Sequence, residues 1–292
     1  MNILDANRII EDFYDKLNPT KEDEILYVDA LKYLIENYND PKALRTLGGY
    51  YYGNKNFKLA EKYYLLAAEY NDEYAFDGLG YIYYYGRCGV VDYEKAFYYY
   101  QKASDLGVDE ATIKLSDMYK KGLGVEKNTN KALDILINMY NKVKNTNNVY
   151  SSYPEVAIRL SNIYIDNNTK ELAVPILIKA KKMLKIRLFY NPFFGEFTNM
   201  KSVIDYLYEC TTFDKDEMDL YDLICYFKNE GSVNFKYEGK TYKIIGVKED
   251  DNIIIKANDK WYKSIIDYLM KEKIGDKRIT SLVNDIYDIT GE

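Results

Sequence analysis

The chain has 292 residues, 47% of them apolar, enough to bury a sizeable core and too many for a disordered tail protein. It contains no histidine, which removes the commonest general base, the nucleophilic triads built on one and most catalytic zinc sites; its three cysteines, Cys88, Cys210 and Cys225, are too few and too scattered for a disulfide framework or a metal cluster. The net charge of −6 is unevenly spread: residues 1–40 carry 4 basic and 10 acidic groups, residues 41–188 carry 22 and 16, and residues 189–292 carry 14 and 20, so the basic middle falls short of a phosphate-binding field.

The opening MNILDANRIIEDFYDKL is acidic within five residues, with no basic segment leading into a long apolar run, and no later stretch reaches 18 uncharged apolar residues. The expectation is a soluble, cytoplasmic protein. This opening and KEDEILYVDALKYLIENY have helical periodicity and end at Asp40-Pro41, predicting two helices over residues 1–40 that cap a helical array beginning at Pro41.

Four segments then align, starting at Ala43, Ala75, Ala111 and Val156. In the first half of each, a leucine is followed by a small residue and, four positions after the leucine, by a tyrosine: Leu47, Gly48, Tyr51; Leu79, Gly80, Tyr83; Leu115, Ser116, Tyr119; Leu160, Ser161, Tyr164. This is one helical face with a notch where a neighbouring helix can come close. The second halves carry apolar residues at i, i+3, i+4 and i+7 from Ala60, Ala96, Ala132 and Ala173, and four residues earlier stand Asn56, Asp92, Asn128 and Thr169, each able to cap a helix start. Tyr63, Tyr64, Tyr99 and Tyr100 fall on this core period. The third and fourth leucines are 45 residues apart rather than 32 or 36; the surplus lies in the polar stretch from Asn141 to Pro154, expected to protrude or be mobile. Pro175 is expected to remove a hydrogen bond from the last helix or delay its start. The run KAKKMLKIR reads as a solvated basic face or a phosphate contact.

Between the halves, units two and three insert Gly86, Gly89, Val90 and Gly122, Gly124, Val125 before the capping residue. Leu-Gly-x-x-Tyr, Gly-x-Gly-Val and Asp-x-x-Lys-Ala at these spacings resemble Sel-one-like repeats (SLR), and the shorter units resemble the related tetratricopeptide repeat, over residues 43–188. The resemblance implies a mainly α protein, an α–α superhelix of the SLR or tetratricopeptide type, with four helix pairs over residues 41–188. It also implies that the first helices line a surface for a partner protein or peptide. Carried over position by position, that surface comprises Lys42, Arg45, Gly49 and Tyr52; Tyr74, Asp77, Tyr81, Tyr84 and Tyr85; Ile113, Asp117, Lys120 and Lys121; and Ile158, Asn162 and Ile165. Aromatic area flanked by cations is the composition favoured at binding hot spots.

After a helical connector over residues 189–230, with helices around MKSVIDYLYEC and DEMDLYDLICYFKNE, residues 231–292 read as a small α+β module. Period-two alternation predicts three antiparallel strands with turns at Glu238-Gly239 and Asp250 to Asn252, followed by helices in SIIDYLMKEK and ITSLVNDIYDI. Gly239-Lys240-x-Tyr242, Tyr262 and Ser264 resemble small hairpin-plus-helix domains associated with restriction and DNA-modification systems. The chain is thus read as a non-catalytic bacterial adaptor or regulator that holds another protein, without cofactor, metal or membrane. The alternative is a nucleic-acid-associated factor, such as a modulator or inhibitor of a defence nuclease.

Overall fold

The computed structural model describes residues 1–16, 18–190, 194–211, 219, 221–223, 231–249, 252–274, 276–279 and 286–291. The chain forms two compact units, Met1–Ile135 and Leu136–Glu292.

The first unit is a series of antiparallel helix pairs: α1 (Ile3–Asp15) with α2 (Lys21–Tyr38), α3 (Pro41–Gly53) with α4 (Phe57–Ala68), α5 (Glu73–Tyr84) with α6 (Tyr93–Asp105), then α7 (Asp109–Lys121). α8 (Thr129–Val143) begins in this unit and ends in the second. The starts of α4, α6 and α8 follow the capping chemistry. Asn56, Asp92 and Asn128 accept hydrogen bonds from the backbone N–H groups of Leu59, Lys95 and Lys131 at 3.3, 2.9 and 2.9 Å. Asp40 and Asp72 cap α3 and α5 in the same way. α1 and α2 close on α3 through Ala6, Tyr27, Leu31, Leu34 and Leu47, giving the first repeat an apolar neighbour.

The notch residues explain the tyrosines. A methyl group at Gly48 or Gly78 would stand 2.7 or 2.8 Å from the Tyr64 ring, and one at Gly80 would stand 2.6 Å from Tyr100, so each second-helix tyrosine fills a space that a side chain would occupy. Tyr51 stacks on Tyr63 at 5.5 Å and Tyr83 on Tyr99 at 5.6 Å, the same joint one repeat apart. Hydroxyls at the edges find carboxylates: Tyr50 donates to Glu24 at 3.2 Å and Tyr83 to Glu61 at 2.7 Å. Gly124 has a positive φ of 67°, and its Cβ position lies 2.0 Å from the Tyr93 carbonyl oxygen, so backbone conformation and close approach both demand glycine.

In the second unit α9 (Tyr153–Asp166) pairs with α10 (Lys170–Tyr190), and α10 with α11 (Phe194–Cys210). α10 begins directly after Thr169, so Pro175 does not delay its start; the cost is the hydrogen bond to Glu171 that proline cannot donate. Thr169 departs from its expected role, its hydroxyl donating back to the Tyr164 carbonyl at 3.0 Å. The stretch between α8 and α9 does not hang free. Lys179 Nζ donates to the carbonyls of Lys144 and Thr146 at 2.6 and 3.0 Å, and the Arg187 guanidinium donates to those of Val149 and Ser151. The expectation of a protruding loop failed because the cations that hold it lie more than thirty residues away in sequence.

The C-terminal sheet has five antiparallel strands rather than three, in the order β4 (Lys260–Tyr262), β3 (Asn252–Ala257), β2 (Lys240–Glu249), β1 (Gly231–Tyr237), β7 (Tyr287–Gly291). The Glu238-Gly239 turn is as expected, with positive φ at both residues and Tyr237 paired to Lys240. A second such turn at Asn258-Asp259 creates β4. The expected turn at Asp250 to Asn252 falls on residues 250 and 251, outside the described residues, as does most of the helix expected around DEMDLYDLICYFKNE. The end of ITSLVNDIYDI is strand, not helix: β7 pairs with the otherwise open edge of β1, with Ile289 buried. α12 (Ile265–Lys271) is capped by Ser264 and followed by the two-residue strands β5 (Lys273–Ile274) and β6 (Lys277–Arg278). Val233, Phe235, Ile244 and Ile255 of the sheet join Leu177, Leu184, Phe197 and Ile204 of the helices in one core.

Candidate functional site

α3, α5 and α7 lie side by side in the first unit, so residues one repeat apart on their shared face become neighbours. Three repeats meet there in one cluster. Tyr52, at the end of α3, accepts a hydrogen bond from Arg87 Nε at 3.0 Å and stands edge-on to Tyr81 at 5.8 Å. The Arg87 guanidinium, carried by the loop after α5, covers the rings of Tyr81, Tyr85 and Phe57 at 5.9, 5.3 and 5.6 Å. From α7, Lys114 sets its ammonium 5.9, 5.5 and 5.4 Å from the rings of Tyr81, Tyr84 and Tyr85 and donates to the Tyr85 hydroxyl at 3.2 Å. Each such contact at a half-exposed site contributes on the order of 0.5–1 kcal/mol and orients both partners.

The electrostatics of this face follow from burial. On α5, burial first and then the charge of Glu110 push the Asp77 carboxyl up to about 6, with Lys114 pulling the other way. Tyr100 is fully enclosed and its hydroxyl has no hydrogen-bond partner among the described residues; burial, then the field of Asp77, holds its pKa far above the ordinary range. Cys88 is half-buried, and burial followed by a hydrogen bond to Glu61 raises its thiol to about 11, so it is a protonated, packed group.

The predicted site residues separate into groups. Tyr52, Tyr81, Tyr84 and Tyr85 come together, although Tyr84 also packs on the core, edge-on to Tyr93 and Tyr100. Arg45 forms a second focus, paired with Asp72 at 3.7 Å and covering exposed Tyr74 at 5.0 Å. With Lys42 it lines a cavity of about 370 Å³ that includes Ile10, Leu31 and Leu34. Asp117 and Lys120 are half-buried and Lys121 is exposed on the last turns of α7; Asn162 is half-buried on α9 of the second unit. Ile113 and Ile165, expected on the surface, are buried in their units. Repeat alignment missed Arg87 and Lys114. Arg87 lies in the inserted loop, where no position transfers; Lys114 stands one column from the aligned positions, and a long helical side chain covers the turn N-terminal to its own Cα.

The basic run of α10 is not a free cationic face. Lys181 pairs with Asp222 at 2.6 Å and Asp219 at 3.2 Å, Lys185 with Asp219 at 3.1 Å, and buried Arg187 with Glu155 at 2.9 Å and Glu196 at 3.2 Å. The residues singled out in the C-terminal module are likewise structural: Tyr262 donates to buried Glu272, and Ser264 caps α12. Among the described residues no group of three or more histidine, cysteine or acidic side chains could hold a metal ion, and no helix is long and apolar enough to cross a membrane.

Stacked helix pairs with a small residue in the first helix and a large one of the second seated against it define a helical-repeat protein. The Sel1 repeat family model matches three segments of the chain, residues 41–72, 78–108 and 109–137. Among solved structures it is similar to a Sel1 repeat protein from Oxalobacter formigenes, with 21% identity over 72% of this chain and 87% of that one and a TM-score of 0.48. It is also similar to a protective antigen present in uropathogenic Escherichia coli strains and displaying an SLR fold, with 16% identity over 76% of this chain and a TM-score of 0.50. The chain spans about half of that antigen, 51% of its length, and the likeness is one of fold. No curated protein matches.

Proposed function

We propose that the chain is a non-catalytic adaptor or regulator that captures a partner protein or peptide on the face shared by α3, α5 and α7. Sel1 repeats are commonly a protein–protein interaction scaffold, which supports the reading at the level of the fold. The observation that carries it is the cluster of Tyr52, Tyr81 and Tyr85 with Arg87 and Lys114. Side chains from three repeats converge on one half-exposed patch, and two cations rest on aromatic rings, the chemistry of a hot spot for an extended partner. The nucleic-acid alternative draws no support from Lys179, Lys181, Lys185 and Arg187 of α10, which face carboxylates and carbonyls.

The test is site-specific photo-crosslinking in the source cells. A photoreactive residue at position 85 is expected to trap a discrete partner that one at position 98, exposed on α6, does not. The double variant Tyr81→Ala/Tyr85→Ala, with its helix content unchanged, is expected to lose that partner. Identical adducts at both positions, or a partner that survives the double variant, would overturn the proposal.

A further inference from the structure

The tyrosines that fill the notches carry more than volume requires. At the same position of the second helix, the third and fourth segments have Leu136 and Leu177, both buried, so an apolar side chain suffices there. Phenylalanine would fill the glycine notches as well as tyrosine does, and the hydroxyls of Tyr64 and Tyr100 therefore need a separate reason. Neither has a hydrogen-bond partner among the described residues, and the Tyr100 hydroxyl is fully buried, a loss of stability that phenylalanine would avoid. Both reach through the notches toward the face shared by α3, α5 and α7. The Tyr64 hydroxyl lies within the electrostatic reach of Tyr52 and Asp77, and the Tyr100 hydroxyl within that of Asp77, Tyr81 and Tyr85. Asp77 is common to both, one helical turn before Tyr81 on the same face of α5.

Asp77 is itself unmatched. Its neighbour Asp72 caps α5 and pairs with Arg45, whereas Asp77 is half-buried and, among the described residues, has neither a hydrogen bond nor an ion pair. Two charges act on it from α7, and the acid Glu110 outweighs Lys114, whose ammonium rests on three rings and donates to the Tyr85 hydroxyl. Their combined field at the carboxyl favours a cation over an anion. We infer that, in the partner capture proposed above, a lysine or arginine side chain of the partner docks on Asp77, with the hydroxyl oxygens of Tyr64 and Tyr100 as its further acceptors. An ammonium has three donors, and the site offers three acceptor groups free of competing bonds within the described residues. A carboxylate partly withdrawn from water also gains more from a counter-charge than an exposed one does, so this contact anchors the partner.

Panning a random heptapeptide library displayed on phage against the full chain tests this. Peptides held by the wild type and lost by the folded Tyr81→Ala/Tyr85→Ala variant report on this face, and one of their positions is expected to be enriched in lysine or arginine. For a synthetic peptide of that set, Asp77→Asn is expected to weaken binding roughly tenfold or more, with no loss of thermal stability. Tyr64→Phe and Tyr100→Phe, which keep the rings that fill the notches, are each expected to weaken it about threefold. Replacing the basic residue of the peptide by norleucine, which keeps an aliphatic stem and drops the charge, is expected to weaken binding to the wild type and to leave binding to Asp77→Asn unchanged. Face-specific peptides without a basic position, or binding indifferent to Asp77→Asn or to both phenylalanines, would overturn the inference and leave partner capture on this face standing. A library that yields no face-specific peptide would overturn both.

Discussion

The joints of the first unit and the α9–α10 joint of the second solve one packing problem by opposite means. In the first unit a glycine on one helix leaves a hole and a tyrosine ring fills it: Gly48 and Gly78 take Tyr64, Gly80 takes Tyr100. In the second unit Arg187, itself buried, spreads its guanidinium over Glu155, Glu196 and the carbonyls of Val149 and Ser151. The first device depends on volume and is indifferent to salt. The second depends on charge completeness, because each carboxylate taken from water must keep its partner. The same two-helix brick therefore tolerates different damage in the two places.

The sharpest way to break the contrast is Arg187→Met. Two carboxylates lose their counter-charge in a buried site, with an expected cost of roughly 3–5 kcal/mol in urea unfolding and faster amide exchange across residues 144–152. Lysine is expected not to rescue it, because one ammonium cannot serve two carboxylates and two carbonyls in the fork geometry of arginine. A smaller effect is expected on the apolar side: Gly80→Ala forces a methyl group against the Tyr100 ring at a cost of about 1–3 kcal/mol. Tyr100→Leu in the same chain should recover part of it, a coupling that a double-mutant cycle in guanidinium would measure.

The smallest effect has the opposite sign and depends on pH. Asp77 titrates at 3.8 in an open chain and at about 6 in the fold, so between those values the native state holds a proton that the unfolded chain has released. Stability then falls as pH rises through that window, and at pH 7 the buried charge is a cost. Asp77→Asn is expected to stabilise the protein by about 1–2 kcal/mol at pH 7, read as a rise in Tm of a few degrees, and to lose that gain near pH 4.

Legibility in the sequence tracks the range of the interactions. Helix starts at Asn56, Asp92 and Asn128 were legible because a cap acts over three residues. The notches at Gly48 and Gly80 were legible as notches, and the core tyrosines as core, because helical period governs both. Tyr63 and Tyr99 stack as that period requires. Of the candidate site, the tyrosines of α3 and α5 were found by alignment, whereas Lys114 and Arg87 were not, one for its reach and one for its place in an insertion. The roles of Lys179, Lys181, Lys185 and Arg187 were hidden because most of their acceptors lie more than thirty residues distant. β7 was misread as helix because its reason for being a strand is the open edge of β1 more than fifty residues earlier.

The anchoring of residues 144–152 alters what kind of part that segment is. Surface connections commonly accept added or deleted residues at little expense, but here the backbone carbonyls of Lys144, Thr146, Val149 and Ser151 are fastened at fixed intervals along a helix. The spacer has become a gauge: its length is matched to α10, and shortening it by even one residue would strip acceptors from Lys179 or Arg187 and carry the fault into the helix that holds the second unit together.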